Sequence, residues 1–333
     1  MAVSARALTL ALIVMAAPAG AQTVTVEADV TAGYSNDQIE DVGAASTQIR
    51  TFGDLKGGLR FFVEGSWADH SHDNSDAFGA AYPYTGELTL MEAYGERLFR
   101  PGGAMIGIKA GRYRTPFGIY SRSDYAYSGL SRAPLIRYED YFALANTFLE
   151  QGAAVVVGIP QLNVETSLSS PSDVGAVKRP SGVDSVTRLQ AYYGAVIAGV
   201  SYIRTNPYQS PFFAKGRAVF TGLDFRVTGG GVQVWGEWLD GQPFDGTTTT
   251  GWHLNGSVHR PIMGPVTAVA RVEQLDYDTI PQFELHSKRQ SVGARIRVLR
   301  DFCAQISVVH QSWPNQEPST ALDAALTYSV RLR

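Results

Sequence analysis

The sequence contains a single cysteine, Cys303, in 333 residues. An intrachain disulfide is therefore impossible, and a cluster of metal-binding thiolates is excluded as well. No stretch approaches the roughly 18 consecutive apolar residues that indicate a membrane-spanning helix. Charged residues make up 18% of the chain, whereas soluble domains carry about 25%. The net charge of −3 argues against a nucleic-acid partner, because such proteins present basic surfaces.

The first residues are typical of an export signal. Arg6 is followed by an apolar stretch, residues 7–17, and then by Ala19-Gly20-Ala21. This three-part pattern predicts a cleaved signal peptide over residues 1–21. The apolar stretch is too short for a membrane anchor, which needs ~20 residues. We therefore expect the mature chain, residues 22–333, to be exported.

What the sequence has in abundance is alternation of apolar and polar residues. Between Leu322 and Leu332 the even positions are apolar and the odd positions are mostly polar. Successive side chains of a strand point to opposite faces, so this segment predicts a strand with one apolar and one polar face. Within the segment 86–99 the faces are less distinct, because Leu90 and Glu92 share one of them. The pattern predicts sixteen strands, near residues 23–34, 45–54, 58–68, 86–99, 104–115, 148–159, 161–170, 185–195, 197–206, 218–228, 231–240, 249–260, 266–277, 289–299, 302–312 and 320–332.

The connections between these segments alternate in length. Turns after even-numbered segments are short and rich in turn-forming residues, as in Pro101-Gly102-Gly103. Connections after odd-numbered segments are longer and polar, as in residues 35–44 and 69–86. This alternation predicts an antiparallel transmembrane β-barrel with short periplasmic turns and long outer loops. A soluble β-sandwich or propeller is the alternative, although a propeller should show a repeat of ~40–50 residues, and none is visible. Sixteen strands would enclose an aqueous lumen.

The third long connection is the most informative local stretch. Residues 111–147 contain eight aromatic residues among several arginines and carboxylates. A loop of this length is either functional or disordered, and so many aromatic residues argue against disorder. We expect the loop to fold into the lumen and form a constriction. Its candidate pore-lining residues are Arg112, Arg114, Arg122, Asp124, Arg132, Arg137, Glu139 and Asp140.

Charges of both signs also lie on the polar faces of the predicted strands. The candidate lumen-wall residues are Arg60, Glu64, Lys109, Arg188, Glu237, Arg271, Arg295 and Arg297. Arginines in a narrow mouth favour anion passage. Pairing of the loop arginines with Asp124, Glu139 and Asp140 would weaken that preference. The mixture favours general diffusion of small hydrophilic solutes ahead of strict anion selectivity.

One motif resembles a known family. A glycine-rich strand and a basic residue precede Thr115-Pro116-Phe117-Gly118, which leads into the long third loop. This order resembles outer-membrane porins, and the phosphate-selective porins O and P are the nearest family. The resemblance implies a homotrimer of sixteen-stranded barrels in the lipid of the bacterial outer membrane, with the third loop folded inward. It also implies small, phosphate-like solutes and a filter built from Arg112, Arg114 and Arg122. Such barrels commonly end in an aromatic residue, whereas this chain ends in Leu332-Arg333.

Other functions are less well supported by the sequence. A plugged structural or binding barrel, whose outer loops contact a partner, is the main alternative to a channel. An outer-membrane enzyme would need a positioned serine and histidine. Ser257 and His259 are available, but the sequence has no GxSxG motif, so we do not expect an enzyme or a cofactor. His70 and His72 could chelate a metal, but without an evident third ligand we expect no metal site.

Overall fold

The computed structural model describes most of residues 21–333. The described residues are 21–36, 41–71, 78, 86–119, 130–137, 149–172, 182–210, 213–244, 246–279, 283–313 and 317–332. The predicted signal peptide lies outside them except for Ala21, which begins the first strand. No helix among the described residues is long and apolar enough to cross a membrane.

Antiparallel strands make up nearly all of the described structure. In chain order they are β1 (Ala21–Asn36), β2 (Asp41–Leu55), β3 (Leu59–His70), β4 (Leu88–Phe99), β5 (Met105–Arg114), β6 (Leu149–Ile159), β7 (Leu162–Ser172), β8 (Asp184–Tyr193), β9 (Val196–Arg204), β10 (Tyr208–Ser210), β11 (Phe213–Gly216), β12 (Val219–Gly229), β13 (Val232–Gln242), β14 (Thr248–Val258), β15 (Val266–Thr279), β16 (Phe283–Arg297), β17 (Phe302–Ser312) and β18 (Ser319–Leu332). Sixteen of these strands form a closed barrel, which β1 and β18 close by pairing with each other. β10 and β11 pair separately, within the connection between β9 and β12. The predicted sixteen-stranded antiparallel barrel is confirmed.

Several predicted boundaries differ from the structure. β16 begins at residue 283, whereas the sequence pattern predicts a start at 289. The predicted first long connection, residues 35–44, is mostly strand, because Ser35 pairs with Val42 and Asn36 pairs with Asp41. Backbone pairing continues there through polar residues that carry no alternation signal. The connection after β15 is also short, since β15 ends at Thr279 and β16 begins at Phe283.

The two faces of the barrel have opposite chemistry. Apolar side chains on the outer face are solvent-accessible, with Val30 at 49%, Leu223 at 48% and Val292 at 66% exposure. Charged side chains on the inner face, such as Glu64 and Arg289, are buried. A soluble β-sandwich has the reverse arrangement, whereas a barrel in lipid keeps its apolar band outside. The exposed apolar band therefore favours a membrane environment.

Aromatic side chains mark both ends of this apolar band. Tyr34 and Tyr202 are exposed on the outer face near the strand ends that lead into the outer connections. Phe99, Tyr193 and Tyr328 are exposed near the end that carries the short turns. Transmembrane barrels carry aromatic girdles at both membrane interfaces, because the rings sit at the headgroup level. The positions of these rings fit a barrel that spans a bilayer.

A β-bulge in β4 explains why the faces of that segment are unclear in the sequence. Glu64 of β3 pairs with Glu92, but the next residue, Gly65, pairs with Leu90. The extra residue, Met91, is fully buried. A bulge places two residues of one strand opposite one residue of its partner, so it reverses the order of faces beyond it. Leu90 consequently faces outward, although it is two positions from the inward-facing Glu92.

Candidate functional site

The inner wall of the barrel is lined by ion pairs, most of which reach across one intervening strand. Lys109 Nζ lies 2.9 Å from Glu165 Oε1, and Arg188 forms an equivalent pair with Asp224 at 2.7 Å. Arg114 lies 3.3 Å from an oxygen of Glu64 and also contacts Glu92. Strand alternation places Lys109, Glu165, Arg188 and Asp224 on one face, and closure of the barrel turns that face inward. Arg114 is the last residue of β5 and is out of phase with Lys109, but its side chain contacts the inward-facing Glu64 and Glu92. The inner wall therefore carries both positive and negative charges.

The other predicted wall residues occupy varied settings. Arg60 forms an exposed ion pair with Asp54 at 3.1 Å, and Arg297 is exposed at the end of β16. Arg295 Nε donates to Cys303 Sγ at 3.1 Å. Glu237 is buried, with its carboxylate 3.4 Å from the His253 ring. Arg271 is buried on the inner face of β15 and belongs to the contacts described below.

The start of the third long connection lies against the inner wall. Thr115 Oγ1 donates to Glu150 Oε1 of β6 at 3.2 Å, and the Gly118 amide donates to Ser201 Oγ of β9 at 3.0 Å. Phe117 is fully buried in a cluster of apolar residues on the same wall. The Thr-Pro-Phe-Gly motif is thus the point at which the chain leaves β5 and runs along the inner wall from β6 to β9.

Residues 130–137, later in the same connection, contact a different part of the wall. Arg132 Nε lies 2.8 Å from Asp323 Oδ2 of β18, and its second nitrogen donates to Asp323 Oδ1 at 3.0 Å. The same nitrogen donates to Ser35 Oγ of β1 at 3.1 Å, and Ser35 in turn donates to Asp323 at 2.6 Å. This two-point geometry is the strong form of an arginine–carboxylate pair.

Two wall arginines bind the backbone of this segment. An Arg271 guanidinium nitrogen donates to the Arg132 carbonyl at 2.8 Å, and Arg289 donates to the Ala133 carbonyl. Glu273 lies between them: it accepts from Arg289 Nε at 2.7 Å and from the Leu135 amide at 2.6 Å. Arg289 and Asp323 are not among the residues predicted from the sequence. Their only sequence signal is their place on the polar face of β16 or β18, just as Glu273 lies on the predicted polar face of β15.

Wall glycines leave room for side chains of the third connection. A Cβ atom at Gly222 of β12 would lie 2.7 Å from the Phe117 ring. A Cβ at Gly251 of β14 would lie 2.5 Å from Ile136 Cγ2. Side-chain carbons do not approach this closely, so any larger residue would displace the connection. Glycine at these two positions therefore leaves the space that Phe117 and Ile136 of the third connection occupy.

The predicted constriction residues are distributed as follows. Arg112 Nε donates to the Met91 carbonyl at the bulge of β4, at 3.3 Å, and alternates in phase with the outward-facing Ile108. Arg114 and Arg132 are buried in the ion pairs described above. Arg122, Asp124, Glu139, Asp140 and the side chain of Arg137 lie outside the described residues. Arg114 thus contacts β3 and β4, whereas Arg132 contacts β18 and β1.

Comparison with solved structures identifies the type of barrel. The anion-selective porin from Comamonas acidovorans matches 92% of this chain and 99% of its own, with a TM-score of 0.64 and 12% identity. The fold is that of the outer-membrane porins. OmpT, an outer membrane protein of Vibrio cholerae, matches in a loop-deleted form with a TM-score of 0.62 over 92% of this chain and 99% of its own, at 8% identity. A Rhodopseudomonas blastica porin mutant covers 92% of this chain and all of its own, with a TM-score of 0.53 and 13% identity.

These comparisons support the porin resemblance at the level of fold. No protein-family model and no curated protein sequence matches the chain. The narrower resemblance to the phosphate-selective porins therefore stays a prediction. No group of three or more His, Cys, Asp or Glu residues within the described ranges could hold a metal ion, and His72 lies outside those ranges.

Proposed function

We propose that this protein is a passive diffusion channel for small hydrophilic solutes in the bacterial outer membrane. The observation that carries the proposal is a closed sixteen-stranded barrel with charged residues inside and apolar residues outside. An eight-stranded barrel is filled by its own side chains, whereas sixteen strands leave an aqueous channel. A charged inner wall suits water and polar solutes rather than hydrocarbons. No covalent chemistry is part of this function.

We further propose that the third long connection forms the constriction of the channel. The connection contacts the inner wall at two places, through Thr115 and Gly118 on β6 and β9, and through Arg132 on β18 and β1. A segment attached at both places narrows the passage between them. Arg112, Arg114 and Arg132 are the members of the candidate constriction set whose side chains are described, and of these Arg114 and Arg132 form ion pairs with wall carboxylates.

General diffusion is favoured over strict anion selectivity. Arg114 and Arg132 each face a carboxylate within 3.3 Å, so much of their field is compensated locally. Selective passage of phosphate-like anions is the second candidate, because the Comamonas acidovorans porin that this fold resembles is described as anion-selective. Export by a signal peptide and assembly as a homotrimer remain part of the proposal through the sequence pattern and the porin resemblance. The other candidate is a plugged barrel that binds a partner through its outer loops.

Liposome swelling tests the channel proposal. The mature chain is refolded into liposomes, which are then diluted into isotonic solutions of neutral sugars of increasing mass. We expect fast swelling with the smallest sugar and progressively slower swelling with larger ones, because the constriction sets the size limit. A folded, inserted barrel that admits none of these sugars would support the plugged alternative.

The reversal potential in a KCl gradient tests charge preference. General diffusion predicts a potential well short of the limit for a purely anion-permeable pore. Replacing Arg114 with alanine leaves Glu64 and Glu92 without this arginine, so the potential should move toward cations. Arg97→Ala, on the outer face of β4 opposite Leu59, serves as the matched control and should leave it nearly unchanged. A potential at the anion limit would instead support strict selectivity.

A further inference from the structure

Three aromatic side chains form a row across neighbouring strands of the barrel: Phe52 of β2, Phe62 of β3 and Tyr94 of β4. In the strand register Phe52 is opposite Phe62, and Phe62 is opposite Tyr94. The ring centroids are 6.2 Å apart in the first pair and 5.4 Å apart in the second, with interplanar angles of 21° and 20°. All three side chains are half-buried. The row is therefore a continuous apolar strip that keeps part of its surface accessible.

Charged neighbours show that this row lies on the inner face. Side chains two positions apart on a strand share a face. Here each ring has a charged residue on both sides along its strand: Arg50 and Asp54 for Phe52, Arg60 and Glu64 for Phe62, and Glu92 and Glu96 for Tyr94. Phe61 has the opposite phase, together with the exposed Leu59. An aromatic row on the water-facing wall is not needed to contact lipid, so it calls for another explanation.

The surroundings of the row carry an excess of negative charge. Two arginines and four carboxylates flank the three rings. The adjoining strands add two carboxylates beside Arg50, those of Glu27 and Asp29, and two basic groups beside the glutamates of β4, those of Lys109 and Arg114. The excess of two negative charges is therefore unchanged. An anion would be repelled by this part of the wall, and a neutral solute would gain nothing from its charge. A cation is attracted both by the carboxylates and by the ring faces.

The protein already places one ammonium group at the end of the row. Lys109 Nζ lies 5.6 Å from the centroid of the Tyr94 ring and 4.6 Å from that of Tyr113. Both distances are within the ~6 Å at which a cation–π interaction operates. The Lys109 charge is balanced by Glu165 at 2.9 Å. Rings and a carboxylate thus hold an ammonium group on this wall, which indicates the kind of ligand that the remaining rings can hold.

We propose that the row of Phe52, Phe62 and Tyr94 is a weak binding site for organic cations, namely ammonium ions with apolar substituents. The apolar substituents contact the rings, and the flanking carboxylates balance the charge. The site rests on the proposed function in one respect, because solutes must enter the barrel interior to reach it. A weak site suits a channel, since a solute must leave the wall as readily as it binds.

Block of channel current by tetraethylammonium tests this proposal. Currents through the refolded mature chain are recorded in a planar bilayer while tetraethylammonium chloride replaces part of the NaCl at constant ionic strength. We expect a concentration-dependent reduction of current in the native channel. Phe62→Leu keeps an apolar side chain but removes the ring, and should raise the half-blocking concentration about five- to tenfold, the size of a partly desolvated cation–π contact. Glu96→Gln should raise it as well.

Phe61→Leu is the matched control, because it makes the same change one position away on the outer face. Its half-blocking concentration should equal that of the native channel. A conducting channel that tetraethylammonium does not block would overturn the proposal, as would equal block of the native and Phe62→Leu channels. The ligand would not be a cation if an uncharged sugar blocked the native channel as strongly as tetraethylammonium does and if Phe62→Leu weakened the block by the sugar as well.

The cation site can also be tested if the barrel does not conduct. If the folded barrel is silent, calorimetric titration of the detergent-solubilised protein with tetraethylammonium measures the same site directly. Heat of binding that disappears in Phe62→Leu but not in Phe61→Leu then supports the site without a channel. Absence of binding heat in the native barrel overturns it.

Discussion

Replacing Arg132 with alanine tests how the third long connection is held against the barrel wall. The Arg132 and Asp323 side chains are only 5% and 1% exposed, and they meet through two hydrogen bonds of 2.8 and 3.0 Å. Removing one partner of a buried ion pair costs about 3–5 kcal/mol, because the remaining charge is left without compensation. We expect this loss to fall mainly on the attachment of residues 130–137.

The loss can be read at the backbone of the same segment. The Leu135 amide donates to Glu273 at 2.6 Å and exchanges its hydrogen only when the segment opens. Since about 1.4 kcal/mol changes an equilibrium tenfold, Arg132→Ala should speed this exchange by roughly 10²-fold or more. Hydrogen exchange followed by mass spectrometry on peptides that contain Leu135 measures the change. Channel current should become noisier at the same time.

Two further variants sharpen this prediction. Arg60→Ala removes an exposed pair with Asp54, and such pairs contribute only about 0–1 kcal/mol, so exchange at Leu135 should not change. Adding Asp323→Asn to Arg132→Ala should recover part of the loss, because the unpaired buried charge is removed. Exchange in Arg132→Ala that matches the native rate would refute the view that this ion pair holds the segment.

Two other predictions concern the wall. Gly222→Ala should displace Phe117 and cost about 1–3 kcal/mol of stability by overpacking. Gly256→Ala should be tolerated, because there is open space around Gly256. Thermal denaturation measures the stability of both variants, and bilayer recording measures their conductance. Equal effects of the two substitutions would contradict the fit between wall and connection. Cys303, beside Arg295 on the inner face, should react with a membrane-impermeant thiol reagent and thereby lower the conductance. The control is Cys303→Ser, whose conductance the reagent should not change. If the reagent also leaves the conductance of the native channel unchanged, the lumen is not filled with water at this position.

The fold was predictable because its signals are local. In β18 the alternation from Leu322 to Leu332 appears in the sequence itself, and the structure turns the apolar positions outward. The short turns are also local signals: Gly230 and Gly231 have φ values of 56° and 77°, which glycine adopts readily. The bulge at Met91 was not predictable, because one extra residue is recognised only from the register of the partner strand.

The candidate site was less predictable because its contacts are distant in sequence. Arg132 and Asp323 are separated by 191 positions, and nothing near either residue indicates the other. Arg112 has the residue type and location expected of a filter, yet it bonds to the backbone at the bulge of the neighbouring strand. The aromatic and charged composition of residues 111–147 drew attention to the third long connection. The wall residues that its side chains contact depend on the tilt of the strands and on the closure of the whole barrel.

Single-channel recording of residues 22–333, refolded and inserted into a planar bilayer, tests whether the barrel is an open channel. We expect stable current steps that are proportional to voltage, because an open sixteen-stranded barrel conducts ions passively. Folding and insertion are verified in parallel by the altered gel mobility of the unheated barrel and by its resistance to protease. A barrel that is folded and inserted but never conducts would contradict the proposal that this protein is a diffusion channel.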